Sequence, residues 1–372
     1  STITFTGIQT QTLTPGGTSF YHVEINKAAG AVTLTGNMIV DGNLLVTAGT
    51  FTTGTSTITF NSSGPARIDT GGQPVYRAAF TGPGSWALES DLALTGSISF
   101  TNGTFDSGGF AITARATEGP GHATVLAAEA ASKGSHAVFA WGGDGTLREA
   151  AQGLLGSPTA LGVLPGGTFN VVALALGLPR RDPVEAARRL VKADPEPRDV
   201  GFLGSDVFLM QATFGLDGAV MHGMNADNKA RFGMAGAVLD GLRVFARYGF
   251  PRFEIEVDGR RRTVTGAGFV NMAEYAGAFE FVPGARWDDG RAHVLLYQGR
   301  SRFAALRFAA ALALGRHNGL PDVEILEASI LEVVGPHDVP AQADGDPWRG
   351  AGRPRCRLAP AALGVLIPRA RA

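Results

Sequence analysis

Ala137-Val138-Phe139-Ala140-Trp141-Gly142-Gly143-Asp144-Gly145-Thr146-Leu147 runs from an apolar stretch straight into a glycine loop. Leu147, Ala150, Ala151 and Leu154 then recur at helical spacing, so the stretch predicts strand, loop and helix in succession. Glycines let a backbone approach a phosphate and turn its N–H groups toward it, and the helix N-terminus adds positive potential. No Gly-Lys-Ser/Thr follows, and Arg148 stands where the third glycine of a G-x-G-x-x-G fingerprint would fall, which argues against a P-loop and a dinucleotide site. A carboxylate inside such a loop, Asp144, would repel phosphate unless a divalent cation lay between them, so the loop implies Mg²⁺ with nucleotide. The plain alternative is an aspartate that caps a helix.

A second element of the same design follows. Leu161-Gly162-Val163-Leu164 leads into Pro165-Gly166-Gly167-Thr168-Phe169-Asn170 and a helix from Val171 to Leu176, stopped by Gly177 and Pro179. In a parallel sheet both loops would open side by side at the carboxyl ends of neighbouring strands, where open α/β folds bind ligands.

The 372 residues are 44% hydrophobic and 17% charged with a formal charge of -1, which excludes disorder and any global field toward nucleic acid. A lone Cys356 permits no internal disulfide and fits a reducing compartment. The longest apolar run, Phe303 to Leu314, is broken by Arg307 and is shorter than the ~18–20 residues of a membrane span. The opening at Ser1 without methionine suggests a trimmed or partial chain.

Composition changes near residue 113. Residues 1–113 carry 3 basic and 6 acidic side chains, leaving 29 and 27 for the remainder. Ser1-Thr2-Ile3-Thr4-Phe5 returns as Ser56-Thr57-Ile58-Thr59-Phe60, and Gly49-Thr50-Phe51 as Gly103-Thr104-Phe105. Short Thr, Val, Ile and Phe alternations between Gly, Asn and Asp turns predict stacked strands, read as a β-solenoid of two units of about 55 residues. These Thr/Gly-rich repeats resemble those of bacterial surface β-helix proteins, with a scaffold role or a carbohydrate- or surface-binding one.

The two loops, with Thr117-Glu118-Gly119-Pro120-Gly121-His122-Ala123 before them and Val339-Pro340-Ala341-Gln342-Ala343-Asp344-Gly345-Asp346 after, resemble the diacylglycerol kinase catalytic family, which includes bacterial lipid kinases and sphingosine kinases. Phe214-Gly215-Leu216-Asp217, Asn271 before Tyr275-Ala276-Gly277-Ala278-Phe279, and Pro283 to Gly290 agree in order over about residues 114–368. The resemblance implies a multidomain chain: solenoid-like repeats over 1–113, an α/β nucleotide-binding lobe over 114–199 to which 355–372 returns, and a β-sandwich lipid-binding lobe over 200–354.

It also implies an ATP- and Mg²⁺-dependent lipid kinase that phosphorylates a lipid hydroxyl of the diacylglycerol kind. Thr117, Gly142, Gly143, Asp144, Gly145, Thr146, Leu147, Arg148, Glu149, Gly167, Thr168 and Asn170 match ATP-contacting positions. Asp344 and Asp346 match the catalytic acidic pair, with Asp346 as general base, and Asp217 the lipid-headgroup position. Arg286, Asp289 and Arg291 match a structural Mg²⁺ site, with Asp199 in its water network. Arg148 replaces the family's usual asparagine, Val171 an acidic residue or histidine, and Asp346 a glutamate. The family's first strand, with its Asn-Pro-x-x-Gly turn, and its first helix have no counterpart before Thr117. Left bare, that sheet edge and face would expose apolar surface, so either the repeats cover them or the junction is an artificial or mis-assembled fusion.

The expected partner is a lipid substrate met at a membrane surface rather than nucleic acid, and a homodimer is compatible. Phe303, Leu306, Ala310 and Leu314 share one helical face between Arg302 and Arg316, while Arg260-Arg261-Arg262 form a basic cluster. Localisation reads as cytoplasmic and membrane-peripheral for the kinase part, although the repeats alone suggest a secreted or surface protein. An NAD kinase-like enzyme, which shares the Gly-Gly-Asp-Gly loop, and an inactive remnant joined to a surface module are the alternatives.

Overall fold

A computed structural model describes residues 2–90, 92, 94–106, 111–191, 193–224, 226–275, 279–336 and 338–368. Ala276-Gly277-Ala278 of the landmark after Asn271 lies outside them. The chain forms two compact units that divide in sequence between Glu118 and Gly119.

In the first unit, strands from Ser19–Phe20 to Gly103–Asp106 alternate between two parallel sheets. In the five-stranded sheet the register advances by one constant step from strand to strand. Phe20 pairs with Val40, Val40 with Phe60, Phe60 with Phe80 and Phe80 with Phe100, which sets all five in one file. Phe80 stacks on Phe60 at 4.9 Å and on Phe100 at 4.7 Å, and meets Trp86 and Phe105 edge-on at 5.1 and 5.0 Å. The corners repeat with the same step, since Thr81 Oγ1 donates to Asn61 Oδ1 and Asn61 Nδ2 to Asp41 Oδ1. In the larger sheet the step is uneven: Trp86 lies between Ala66 and Phe105, and Leu44 between Val23 and Ile68.

Strand pairing therefore does not follow the long sequence repeat. Thr2–Phe5 lies in the eight-stranded sheet and is largely exposed, whereas its copy Thr57–Phe60 lies in the other sheet with Ile58 and Phe60 buried. The interval from Phe5 to Phe60 falls between two and three steps of the file, so the copies land on opposite sheets. At the far end Ala111–Ala114 folds back antiparallel onto Gly103–Asp106 and closes the larger sheet.

The second unit begins with α1 (His122–Ser132), the strand Ala137–Gly142, α2 (Asp144–Leu154), the strand Ala160–Pro165, α3 (Val171–Ala175) and α4 (Pro183–Leu190). The two strands pair in parallel, as the repeated strand-loop-helix pattern requires. A Cβ on Gly153 would stand 2.2 Å from the Thr124 carbonyl oxygen, so glycine is what lets α2 approach α1. The long final strand Arg355–Ile367 joins two regions: Val365 pairs in parallel with Leu161, while Arg355–Arg357 pair with Ile330–Glu332. Between these contacts it runs antiparallel to Asp194–Leu203, and the register slips between Arg198 and Val200, at Asp199.

The rest is β-rich. Phe253–Val257 and Arg260–Val264 extend the sheet of Ala137–Gly142, Ala160–Pro165 and Arg355–Ile367, eight-stranded in all, past Ile330–Gly335. A six-stranded antiparallel sheet, with Gln211–Gly215, Gly266–Val270, Ala292–Tyr297 and Ala341–Ala343 among its strands, packs on it through Phe208, Phe214, Phe253, Ile255, Phe269 and Leu331. Three helices complete the unit: α5 (Leu216–Gly223), α6 (Ala226–Arg247) and α7 (Arg302–Ala313).

Among the described residues Ala137–Gly142 pairs only with Ala160–Pro165 and is thus an edge strand. One face presents Phe139 and Trp141, 41% and 71% exposed, whereas every residue of Ala160–Pro165 except Leu164 is buried.

Candidate active site

The two glycine loops cross backbone on backbone. The Gly166 N–H donates to the Gly142 carbonyl at 2.8 Å, and a Cβ on Gly167 would lie 2.5 Å from the Gly143 Cα. The crossing requires glycine at position 167, whereas a Cβ on Gly143 would meet the Gly167 Cα at 3.3 Å and one on Gly142 the Thr146 side chain at 2.6 Å. Thr146 packs over Gly142, and Gly143 is the extended N-cap of α2.

Two side chains hold the crossing in place. The Val172 N–H donates to Asp144 Oδ1 at 3.1 Å, so Asp144 caps the helix after the second loop rather than its own. Asn170, in the left-handed region at φ 49°, accepts from the Gly167 N–H and donates to the Gly167 and Arg180 carbonyls, each at 2.8 Å. Thr168 is exposed at the loop surface.

Other predicted nucleotide contacts are committed elsewhere. Leu147 is 1% exposed and belongs to the core beneath the loops. Glu149 receives the N–H groups of Gly121 and Ala123 at 2.8 and 3.3 Å, a carboxylate at the start of α1 where the helix dipole favours one. Thr117 belongs to the first unit.

The Asp344-Gly345-Asp346 turn meets the first loop. Asp346 lies over the first turn of α2, where a Cβ on Gly145 would be 3.5 Å from its Oδ2, and Arg148 Nη2 donates to the same oxygen at 2.6 Å. The Asp346 side chain is half exposed and that of Arg148 mostly buried. Asp344 is placed differently: its carboxylate is enclosed and receives the N–H groups of Leu209, Met210 and Gln211 at 2.7, 2.9 and 3.1 Å. Burial pushes its carboxyl up to about 6, against the opposing pull of those three N–H groups and of Arg148. Asp344 thus fixes the turn that presents Asp346.

Asp217 joins the same turn through a network the sequence did not disclose. Its Oδ2 accepts from Thr213 Oγ1 (2.6 Å) and Gln342 Nε2 (2.9 Å), and its Oδ1 from the Tyr275 hydroxyl (2.8 Å). Gln342 Oε1 in turn accepts the Gly345 N–H at 2.6 Å. Burial and the adjacent Asp217 hold the Tyr275 hydroxyl well above its ordinary range. Gln342 is the clue: a polar residue between two alanines, buried to 2% in the strand before the turn.

The predicted cation residues share one loop. Asp289 accepts the Arg291 N–H at 2.9 Å and lies 3.1 Å from His293 Nε2, while Arg286 pairs with Asp288. Asp199, at the register slip, receives the Gly290 and Ala361 N–H groups at 2.7 and 2.8 Å and so ties this loop to the final strand. Among the described residues no three acidic, histidine or cysteine side chains converge on a metal-sized site. One carboxylate with backbone carbonyls still suits Mg²⁺, which keeps several waters.

Residues 101–203 match the diacylglycerol kinase catalytic domain, a match that begins inside the first unit, and residues 211–367 match the YegS C-terminal NAD kinase beta sandwich-like domain. A diacylglycerol kinase of Mycobacterium tuberculosis is 32% identical over 252 residues, 66% of this chain and 81% of the relative. A YegS-like lipid kinase of Chromohalobacter salexigens is 32% identical over 273 residues, 70% of this chain and 85% of the relative. A crystal structure of a diacylglycerol kinase from Bacillus anthracis shares the fold with a TM-score of 0.51 at 20% identity, over 68% of this chain and 84% of that one. With a relative this similar over most of its length, and both lobes matched in sequence order, the chain belongs to the diacylglycerol kinase catalytic-domain family.

Proposed function

We propose that this lipid kinase transfers the γ-phosphoryl group of ATP to a lipid hydroxyl of the diacylglycerol kind. The observation that carries the reading is the placement of Asp346 over the first turn of α2, beside the point where the Gly-Gly pairs of the two loops cross. Phosphate oxygens would lie on the loops and the α2 start, with Thr168 at the rim. The lipid oxygen attacks the γ-phosphorus, its proton passes to Asp346, and the bond to the bridging oxygen of ADP breaks. Arg148 must yield Asp346 as this happens, and the incoming phosphate is the competing anion that draws it away. Asp344 holds the turn, and Asp217 with Tyr275 and Gln342 faces the headgroup.

Mg²⁺ would accompany the nucleotide near Asp144, and a second would rest on Asp289 with the carbonyls of Arg286 and Arg291. The ion with the nucleotide would supply neutralisation of phosphate charge, and the one at Asp289 would be structural. The first unit reads as a β-solenoid scaffold, supported by its alternating parallel sheets and the constant step of its file.

The test is Mg²⁺-dependent ATP binding by calorimetry on the full chain, followed by phosphoryl transfer to diacylglycerol and to NAD. Saturable binding, lost in Asp144→Asn, with diacylglycerol phosphorylation abolished in Asp346→Asn, supports the reading. Phosphorylation of NAD alone, or undiminished transfer by Asp346→Asn, rejects it.

A further inference from the structure

The helix α7 carries apolar side chains on two opposite faces, yet only one of them is used by the fold. Ala305 is buried, and Phe308 packs against Tyr297 and His317. The opposite stripe, Phe303, Leu306 and Leu314, is 78%, 58% and 71% exposed, with Ala310 between them. The second half of α6 repeats the pattern, with Val238, Leu239 and Leu242 54%, 48% and 59% exposed. The two helices are tied where Arg302 Nη2 donates to the Ala246 carbonyl at 2.7 Å. Six large apolar side chains on two linked helices far exceed the scattered exposure of an ordinary surface.

The charge flanking these stripes is mostly basic. The helix α7 contains Arg302 and Arg307 and no acidic residue. Arg300 and Arg316 flank it, Arg247 closes α6, and among the described residues these three make no ion pair. Of the acidic residues near the stripes, Asp240 pairs with Arg243 and Asp322 with Arg307, while Glu280 stands exposed on the short strand that meets α7. A protein partner or second copy would require acidic groups to answer these arginines, whereas a bilayer offers apolar depth and anionic headgroups together.

We infer that α6 and α7 form a docking surface for an anionic phospholipid bilayer, with Phe303, Leu306, Leu314, Val238, Leu239 and Leu242 entering the acyl boundary and Arg247, Arg300, Arg302 and Arg316 meeting the headgroups. The inference deepens the lipid-kinase reading by naming where the substrate-bearing surface is met, but vesicle binding is read without any turnover.

The experiment is flotation of the full chain with phosphatidylcholine vesicles, with and without phosphatidylglycerol. The protein is expected to float with the anionic vesicles and to release as salt rises. Phe303→Glu/Leu306→Glu and, separately, Leu242→Glu should each reduce the bound fraction at least tenfold while circular dichroism is unchanged. Arg247→Glu/Arg316→Glu should abolish the preference for phosphatidylglycerol. Failure of the unaltered chain to float, undiminished flotation of the glutamate variants, or a dimer that these variants dissociate without any vesicle binding would each overturn the inference. A short-chain, water-soluble diacylglycerol separates the two readings. If the variants phosphorylate it normally but not vesicle-borne lipid, both stand; if no form of the chain phosphorylates it while flotation behaves as expected, the docking surface stands and the kinase reading falls.

Discussion

Arg148 and Asp346, 198 residues apart in sequence, share a hydrogen bond of 2.6 Å over the first turns of α2. The pair is partly exposed, and such pairs contribute only ~0.2–1 kcal/mol to stability. Arg148→Asn should therefore leave thermal unfolding nearly unchanged. Because a phosphate held by a charged donor loses ~1.5–3 kcal/mol with that donor, the same change should raise the KM for ATP roughly tenfold or more. Steady-state kinetics on folded Arg148→Asn and Asp346→Asn proteins should separate the roles: the first moves KM, the second lowers kcat by ~10²–10⁴.

Asp344 gives a pH signature. Its carboxyl is raised from 3.8 to about 6, so the folded chain binds this proton more tightly than the unfolded chain. The stabilisation from that proton is complete below the unfolded value and is lost as pH rises through about 6, a swing on the order of 3 kcal/mol. The difference in urea-unfolding free energy between the native chain and Asp344→Asn should fall by that amount between pH 3.5 and 7, values chosen to bracket the transition. A flat difference would show that the three backbone N–H groups offset the burial completely.

The loop crossing predicts a contrast between two glycines. Gly167→Ala places a Cβ 2.5 Å from the Gly143 backbone, which cannot yield without parting the loops, and should abolish saturable ATP binding. Gly145→Ala meets only the Asp346 carboxylate at 3.5 Å, an ordinary contact with a movable side chain, and should retain it. Calorimetry on both variants, with circular dichroism as the folding check, decides the point.

In the first unit Phe80 touches four aromatic rings and is fully buried. Phe80→Ala should cost about 3–5 kcal/mol, the range for truncating a buried aromatic. Phe20→Ala, at the partly buried end of the same file, should cost less than half as much. Denaturant melts of the two variants test the ranking.

The two loops were legible because each is written contiguously: an apolar strand, a glycine pair, and a helix with its buried positions spaced three and four apart. The Asp344-Gly345-Asp346 turn was legible for the same reason. What joins them was not. The bonds from Arg148 to Asp346, from Gln342 to Asp217 and from Glu149 to the start of α1 each span more than one element, and local spacing carries no record of which carboxylate a distant donor will meet. The file in the first unit was masked differently. Val40 interrupts the phenylalanines, while the conspicuous copies of Thr-Ile-Thr-Phe, ending at Phe5 and Phe60, follow a longer interval and stand on opposite sheets.

That file sets a rule for how the first unit can change length. Removing the span from one corner to its equivalent, such as Asn61 to Thr81, returns every later strand to the sheet and face it already occupies. Removing the span from one Thr-Ile-Thr-Phe copy to the next, which a sequence comparison would mark as the duplicated segment, would exchange the two sheets and leave each aromatic without its neighbour. On the proposed β-solenoid reading the heritable increment of this unit is one circuit of the chain, so natural insertions and deletions within it should come in whole circuits even where the letters repeat at another interval.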